Sequence, residues 1–395
     1  MNSIKDIYRI GYGPSSSHTI GPMRAAKYFK QENPEANRYE VTLYGSLSLT
    51  GKGHRTDDII RIVLGEDCTN IIFDKGLEDN RNRMLFRGFV DDQLLVEWNA
   101  ESLGGGAIHI DEFETDDSKE FYSEKNFAEI KEYLEIHGIT LLDYILEHEP
   151  TIIEDLEEPL DAMLKSVENG LNSEGLINAR LKVSRTAKQL YKEAVTTNND
   201  KLKKMAYAYA AAEENAMGHI VVTAPTLGSC GIVASLMYYA LNDLHLDKHK
   251  LCEALAVGGL FGNIVKQNAS IAGAIGGCQA EVGTACSMAA AMISYLNDCD
   301  LNVIEYAAEI GIEHHLGLTC DPVMGYVIIP CIERNAMAIL RSFDAYELSN
   351  SVLRFKSHLV TFDMVVSSMN YTGKHLVTEL KETSLGGLAL EFKDQ

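Results

Sequence analysis

The chain is short of positive charge. Its 395 residues carry 35 Lys and Arg against 57 Asp and Glu, a formal net charge of −22 at pH 7. A surface this acidic repels phosphate backbones and anionic headgroups, so neither nucleic acid nor a membrane surface is an expected partner. The first residues, MNSIKDIYRIGYG, lack the long apolar core of a secretory signal. A cytoplasmic protein with reduced thiols is expected, its cysteines buried, catalytic or metal-binding rather than disulfide-bonded. None of the eight cysteines forms a CxxC pair, so the usual ferredoxin and zinc signatures are missing. Walker A and dinucleotide fingerprints are missing too. Only residues 220–241 raise the question of a membrane span, being uncharged and long enough. Thr223, Pro225, Thr226, Gly228, Ser229 and Gly231 interrupt that run. It reads instead as an extended piece, VVTAP, a Gly-rich turn and a buried helix from near Gly231.

What is present describes a folded protein. The hydrophobic fraction is 46% and the charged fraction 23%, and the length suffices for two domains. Over the first ~110 residues helical and strand patterns alternate. AAKYFK and TDDIIRIVLG read as helices, the second closed by Gly65. RYEVTLYGSLS, TNIIFD, NRMLFRGFV and QLLVEWNAES read as strands. A strongly charged stretch from residue 112 reads as a linker into an amphipathic helix. Beyond it the helical period dominates, and GTACSMAAAMISYL is apolar on every side, as a buried helix is. The expectation is an α+β N-terminal domain over 1–125 followed by a mainly α-helical domain over 126–395.

Three cysteines sit in unusual settings. Cys278 follows two glycines in AGAIGGCQAEVG, Cys320 precedes Asp-Pro in LGLTCDPVMG, and Cys331 follows proline in VIIPCIERNA. Turns and helix starts leave a thiol accessible and favour the thiolate, the form that binds metal. Three thiolates could hold an iron–sulfur cubane with one iron left open as a Lewis acid. Equally, all three could be buried small hydrophobes, and their spacing does not decide. Cys252 and Cys286 lie on helical patterns and read as core.

Two histidines stand on Gly/Ser-rich segments, His18 at the end of SSSH and His54 at the end of GSLSLTGKGH. Each is either a general base or a solvated loop residue. Ser15, Ser16 and Ser17, together with TAPTLGSCG and SLGGGA, form turns whose hydroxyls and N–H groups suit a carboxylate.

Taken together these pieces resemble the bacterial iron–sulfur-dependent L-serine dehydratases (L-serine ammonia-lyases). The resemblance rests on GPSSSHTIGPM, YGSLSLTGKGH, EENAMGHIVVTAPTLGSCGI, NASIAGAIGGCQAEVGTACSMAAA, GIEHHLGLTCDPVMGYVIIPCIERNA and ETSLGGLA, in that order. It implies a small α+β domain fused to a helical catalytic domain that holds a [4Fe–4S] cluster on Cys278, Cys320 and Cys331. It implies His54 as the base that abstracts the Cα proton, with His18 as the rival. Ser15, Ser16, Ser17, Asn82 and Thr226 are implied around the substrate, L-serine, and the enzyme is implied to be a homodimer. The pattern departs from some members at Leu227, at Arg83 and at the end of the chain, where ALEFKDQ offers no cysteine to cap an open iron. Two alternatives accompany this reading. They are the same chemistry on threonine or cysteine, and a non-catalytic cluster sensor.

Overall fold

The computed structural model describes residues 1–76, 82–111, 115 and 119–392. Nine strands occur among them: β1 (Ile10–Tyr12), β2 (Arg38–Leu43), β3 (Thr69–Phe73), β4 (Asn82–Val90), β5 (Gln93–Gly104), β6 (Ala107–Ile110), β7 (Leu176–Asn178), β8 (Val183–Ser184) and β9 (Ile220–Val222). The expected α+β region followed by a mainly helical one is what the chain forms. Five strands make one sheet in the order β3-β2-β4-β5-β6, parallel only between β2 and β3. Along β4 buried residues alternate with half-buried ones, so Met84 and Phe86 face inward. They meet the helix Gly21–Glu32, whose Phe29 ring lies 5.3 Å from Phe86 and 5.2 Å from Trp98. Burying a side chain like Phe29 stabilises by about 1.5–3 kcal/mol. The helix Thr56–Leu64 flanks it, with Asp57 and Asp58 in the first turn and Gly65 closing it at φ 126°. Acid at the start and a left-handed glycine at the end are what a helix of this length needs. All four expected strands in this region are present, but the one expected over RYEVTLYGSLS stops at Leu43, and after Gly45 at φ 56° the residues Ser46–Thr50 are helical; β6 was not anticipated.

The helical part is built around Thr284–Leu296, in which every residue from Thr284 to Ser294 is buried. Its alanines let Lys248–Asn268, Leu301–Glu313 and Cys331–Val352 approach closely. The uncharged run at 220–241 resolves into β9, a short turn and the helix Cys230–Asn242. No helix among the described residues is long and apolar enough to cross a membrane.

The start of the chain belongs to this helical core. Ile4, Ile7 and Tyr8 are buried in it, and the Tyr8 hydroxyl donates to the Leu255 carbonyl at 2.8 Å. β1 then pairs antiparallel with β9, and only afterwards does the chain enter the sheet region. The crossing places Ser15, Ser16, Ser17 and His18 against the helical part. The stretch expected to be a linker falls partly outside the described residues; beyond it run the helices Phe127–His137 and Leu141–His148.

Candidate active site

Each cysteine is set by a different local device. Gly277 has φ 73°, and a Cβ there would lie 2.8 Å from the Leu318 carbonyl, so the turn before Cys278 requires glycine. The next residue, Gln279, is fully buried and joins the two cysteine segments. Its N–H donates to the Leu318 carbonyl at 3.1 Å, and its Oε1 accepts from the Gly317 N–H at 2.9 Å. Cys320 lies on an isolated parallel bridge to Lys381. The Cys320 N–H donates to Leu380, and the Glu382 N–H donates back to Cys320 at 2.7 Å. Cys331 begins the helix Cys331–Val352 after Pro330. One turn on, the Asn335 amide donates to the Cys331 and Gly228 carbonyls, both at 2.8 Å, and accepts from the Gly231 N–H at 2.9 Å. That single amide fastens the TAPTLGSCG turn to the Cys331 helix.

All three thiols line one cleft, together with Pro14, Ser15, His54, Gly228, Glu281 and Glu382. Turn and helix-start positions were expected to leave them accessible. Instead Cys278 and Cys320 are buried and Cys331 half-buried, with Pro14, Ser15 and His54 of the N-terminal part lining the same cleft. Cys278 Sγ, Cys320 Sγ and a Glu281 carboxylate oxygen lie within 4.8 Å of one another. Glu281 Oε2 is 3.9 Å from Cys320 Sγ. A Cβ on Gly273 would come within 2.7 Å of that carboxylate and 3.5 Å of the thiol, so the bare glycine keeps the space open. Burial pushes the Cys331 thiol well above its ordinary pKa; for Cys320 a hydrogen bond with Cys278 does so first and burial second. Soft thiols brought together by burial could surrender their protons to a cation, and this donor set suits iron or an iron–sulfur centre. The Arg334 guanidinium sits beside the thiols, donating to the Thr319 carbonyl at 2.6 Å.

The two histidines meet here. Ser15 caps a single wide helical turn, Ser16–Ile20, that runs into the helix Gly21–Glu32, so SSSH is helical rather than a loop. Asn215 Nδ2 donates to the Pro14 carbonyl at 2.8 Å and the Gly13 N–H to His219, which anchors this turn to the helical part. His18 Nδ1 lies 3.0 Å from Ser17 Oγ and 3.2 Å from Ser15 Oγ; its Nε2 lies 2.9 Å from Thr50 Oγ1 and 3.1 Å from Ser46 Oγ. Burial lowers its pKa from 6.5 to about 4, against a hydrogen bond at Ser46 that raises it. His54 is fully buried, and neither of its ring nitrogens has a hydrogen-bond partner among the described residues. Burial, then the charge of His18, holds its pKa well below 6.5.

The remaining expected residues divide. Ser15 lines the cleft and Ser17 reaches Glu382. Ser16 is buried in the turn but is not in the lining. Thr226 lies beside Glu281. Asn82 is buried at the start of β4 and does not line the cleft. Two carboxylates had no expected role. Glu281 is the sole charged residue between Asn268 and Leu296, a legible signal. Glu382 lies in ETSLGGLA, which gave no chemical hint. It is 5% exposed, with Oε1 at 3.2 Å from Ser17 Oγ and 3.4 Å from Ser15 Oγ and His18 Nδ1. Burial pushes both carboxyls up, and Glu382 adds like-charge repulsion at Glu281.

A cleft that gathers three thiols, two carboxylates and a histidine unpartnered among the described residues is a candidate active site of an enzyme. Residues 31–389 match the serine dehydratase alpha chain family, and the chain belongs to that family. It is 36% identical to L-serine dehydratase 2 of Escherichia coli K12 over 456 aligned positions, covering 99% of each chain. The L-serine dehydratase of Haemophilus influenzae is 36% identical, again over 99% of each. That of Streptomyces coelicolor is 34% identical over 99% of each. The aligned length exceeds the 395 residues here, so the E. coli relative carries segments without a counterpart in this chain.

Proposed function

We propose that this chain is an L-serine dehydratase, a lyase that eliminates water from L-serine and yields pyruvate and ammonia. Full-length similarity to enzymes of that name supports the substrate. In this reading the small unit expected over 1–125, apart from its opening residues that pack into the helical core, supplies the histidines and serines, and a helical unit over 126–395 supplies the thiols. Cys278, Cys320 and Cys331 would hold a [4Fe–4S] cluster. When bound, such a cluster offers a Lewis-acidic iron that polarises the substrate hydroxyl as a leaving group.

The chain's own residues do the rest. His54 takes the Cα proton on a ring nitrogen that has no hydrogen-bond partner among the described residues. Burial keeps its imidazole neutral at pH 7, so the base is ready without prior deprotonation. His18, held at both nitrogens, packs its ring against His54 and fixes that ring's plane. Ser15 and the Gly228 turn border the cleft where the carboxylate would lie. Loss of the proton and the hydroxyl leaves aminoacrylate, which tautomerises to the imine and hydrolyses in water.

The reading includes a cytoplasmic homodimer. Reduced thiols favour that compartment, and Phe355 and Leu359, exposed at 87% and 82%, offer apolar surface to a second copy. The observation that carries the activity is the free, buried His54 ring opening on the cleft of three thiols. Its test is anaerobic reconstitution with iron and sulfide, then assay of 2-oxo acid from L-serine, L-threonine and L-cysteine. Pyruvate from L-serine in clear excess over the other two is expected; equal rates, or none, would overturn the substrate.

A further inference from the structure

We propose that Glu382 is the subsite for the substrate's α-ammonium group, an inference that rests on the amino-acid lyase reading above. Its carboxyl is buried and oriented. Oε1 is held by Ser15, Ser17 and His18, while Oε2 is buried without a hydrogen-bond partner among the described residues. Burial pushes the pKa of the Glu382 carboxyl up to about 7, against Ser17, Ser15 and the nearby Ala274 backbone N–H, which favour its charged form. A buried, unsatisfied carboxylate oxygen is costly to keep unless a ligand satisfies it.

The backbone fixes where that oxygen sits. Glu382 adopts φ 55°, a conformation L residues rarely take, and its N–H is tied to the Cys320 carbonyl. The Ser46 hydroxyl donates to the Glu382 carbonyl at 3.1 Å. One residue is thus clamped between the thiol segment and the histidine segment, with its side chain in the lining of the cleft that contains His54.

Charge selects the ligand group. Among the described residues no lysine or arginine lines this cleft. Arg334 is engaged on the thiol side: it donates to the Thr319 carbonyl, sits beside Cys278 and has Asp321 3.7 Å away. A substrate carboxylate gains nothing from Glu382, whereas an ammonium gains a charge-assisted hydrogen bond in a water-poor site. Glu281 is the other carboxylate, but it faces the thiols. Glu382 is therefore what distinguishes a 2-amino-3-hydroxy acid from the same acid without nitrogen.

The test compares L-serine with 3-hydroxypropanoate, which lacks only the ammonium, as a competitive inhibitor of the reconstituted enzyme. Glu382→Gln keeps an acceptor for Ser15 and Ser17 but loses the charge. It should raise KM for L-serine about 10–100-fold, the cost of one charge-assisted hydrogen bond. Ki for 3-hydroxypropanoate should stay within about 2-fold or fall. Glu382→Asp keeps the charge and should retain most of the preference for L-serine, and it carries the test if the Gln variant does not take up iron. Equal weakening of both ligands, an unchanged KM in Glu382→Gln, or equal loss of preference in Asp and Gln would overturn the subsite. A loaded wild-type enzyme that makes no pyruvate would instead overturn the activity on which it rests.

Discussion

The imidazole rings of His18 and His54 meet edge to face, their centroids 4.3 Å apart and their planes at 62°. They differ in what surrounds their nitrogens. His18 is hydrogen-bonded on both sides and, among the described residues, His54 on neither. A ring saturated by Ser15, Ser17, Ser46 and Thr50 has no lone pair to spare for a substrate proton; its neighbour does. In the proposed mechanism His18 is therefore the positioning residue and His54 the base.

The ligand set makes a first prediction. Cys278→Ser, Cys320→Ser and Cys331→Ser should each fail to retain iron and sulfide after anaerobic reconstitution. Cys286→Ser should retain both, because Cys286 lies within the helix Thr284–Leu296 against Ser342, away from the cleft. Full iron content in any of the first three would remove that residue from the set.

Asn335 gives a structural prediction. Its amide serves three backbone groups in a buried position, including the N–H of Gly231. Asn335→Leu leaves those groups unsatisfied and should cost about 1–3 kcal/mol. Thermal unfolding of the metal-free protein would register this as a lowered Tm, and an unchanged Tm would show that the latch is not needed.

Burial of His18 predicts a pH dependence. Its folded pKa is about 4, against roughly 6.5 in an unfolded chain. Between those values the unfolded state binds more protons, so this residue's contribution is complete above about pH 6.5 and lost as pH falls toward 4. Urea midpoints at pH 7 and pH 5 should separate more for the wild type than for His18→Gln. Equal separations would mean that His18 titrates normally.

Much of this was legible in the sequence. Strands β2 to β5 and the helices around them follow from apolar period and turn residues, because each lies half-buried against one core. Gly65 and the uncharged helix Thr284–Leu296 were likewise plain. The three cysteines stood out by their Gly and Pro neighbours, although their burial did not, since it depends on the small region closing over them. What pattern could not reveal is contact across long separations. Glu382 meets Ser17 at a distance of 365 residues in sequence, and Asn215 holds Pro14 across 201. The turn Ser16–Ile20 read as a loop because its serines are polar; they are buried by His18 and Glu382, partners no local window contains.

The central claim is that His54 supplies the base to a cleft whose metal it does not hold. Its most direct test is the turnover of L-serine by wild type and His54→Ala, reconstituted anaerobically and compared at equal iron and sulfide content. The variant should bind the same amount of iron and form pyruvate about 10²–10⁴-fold more slowly, the usual contribution of a positioned base. Near-normal turnover in His54→Ala at equal iron would contradict it.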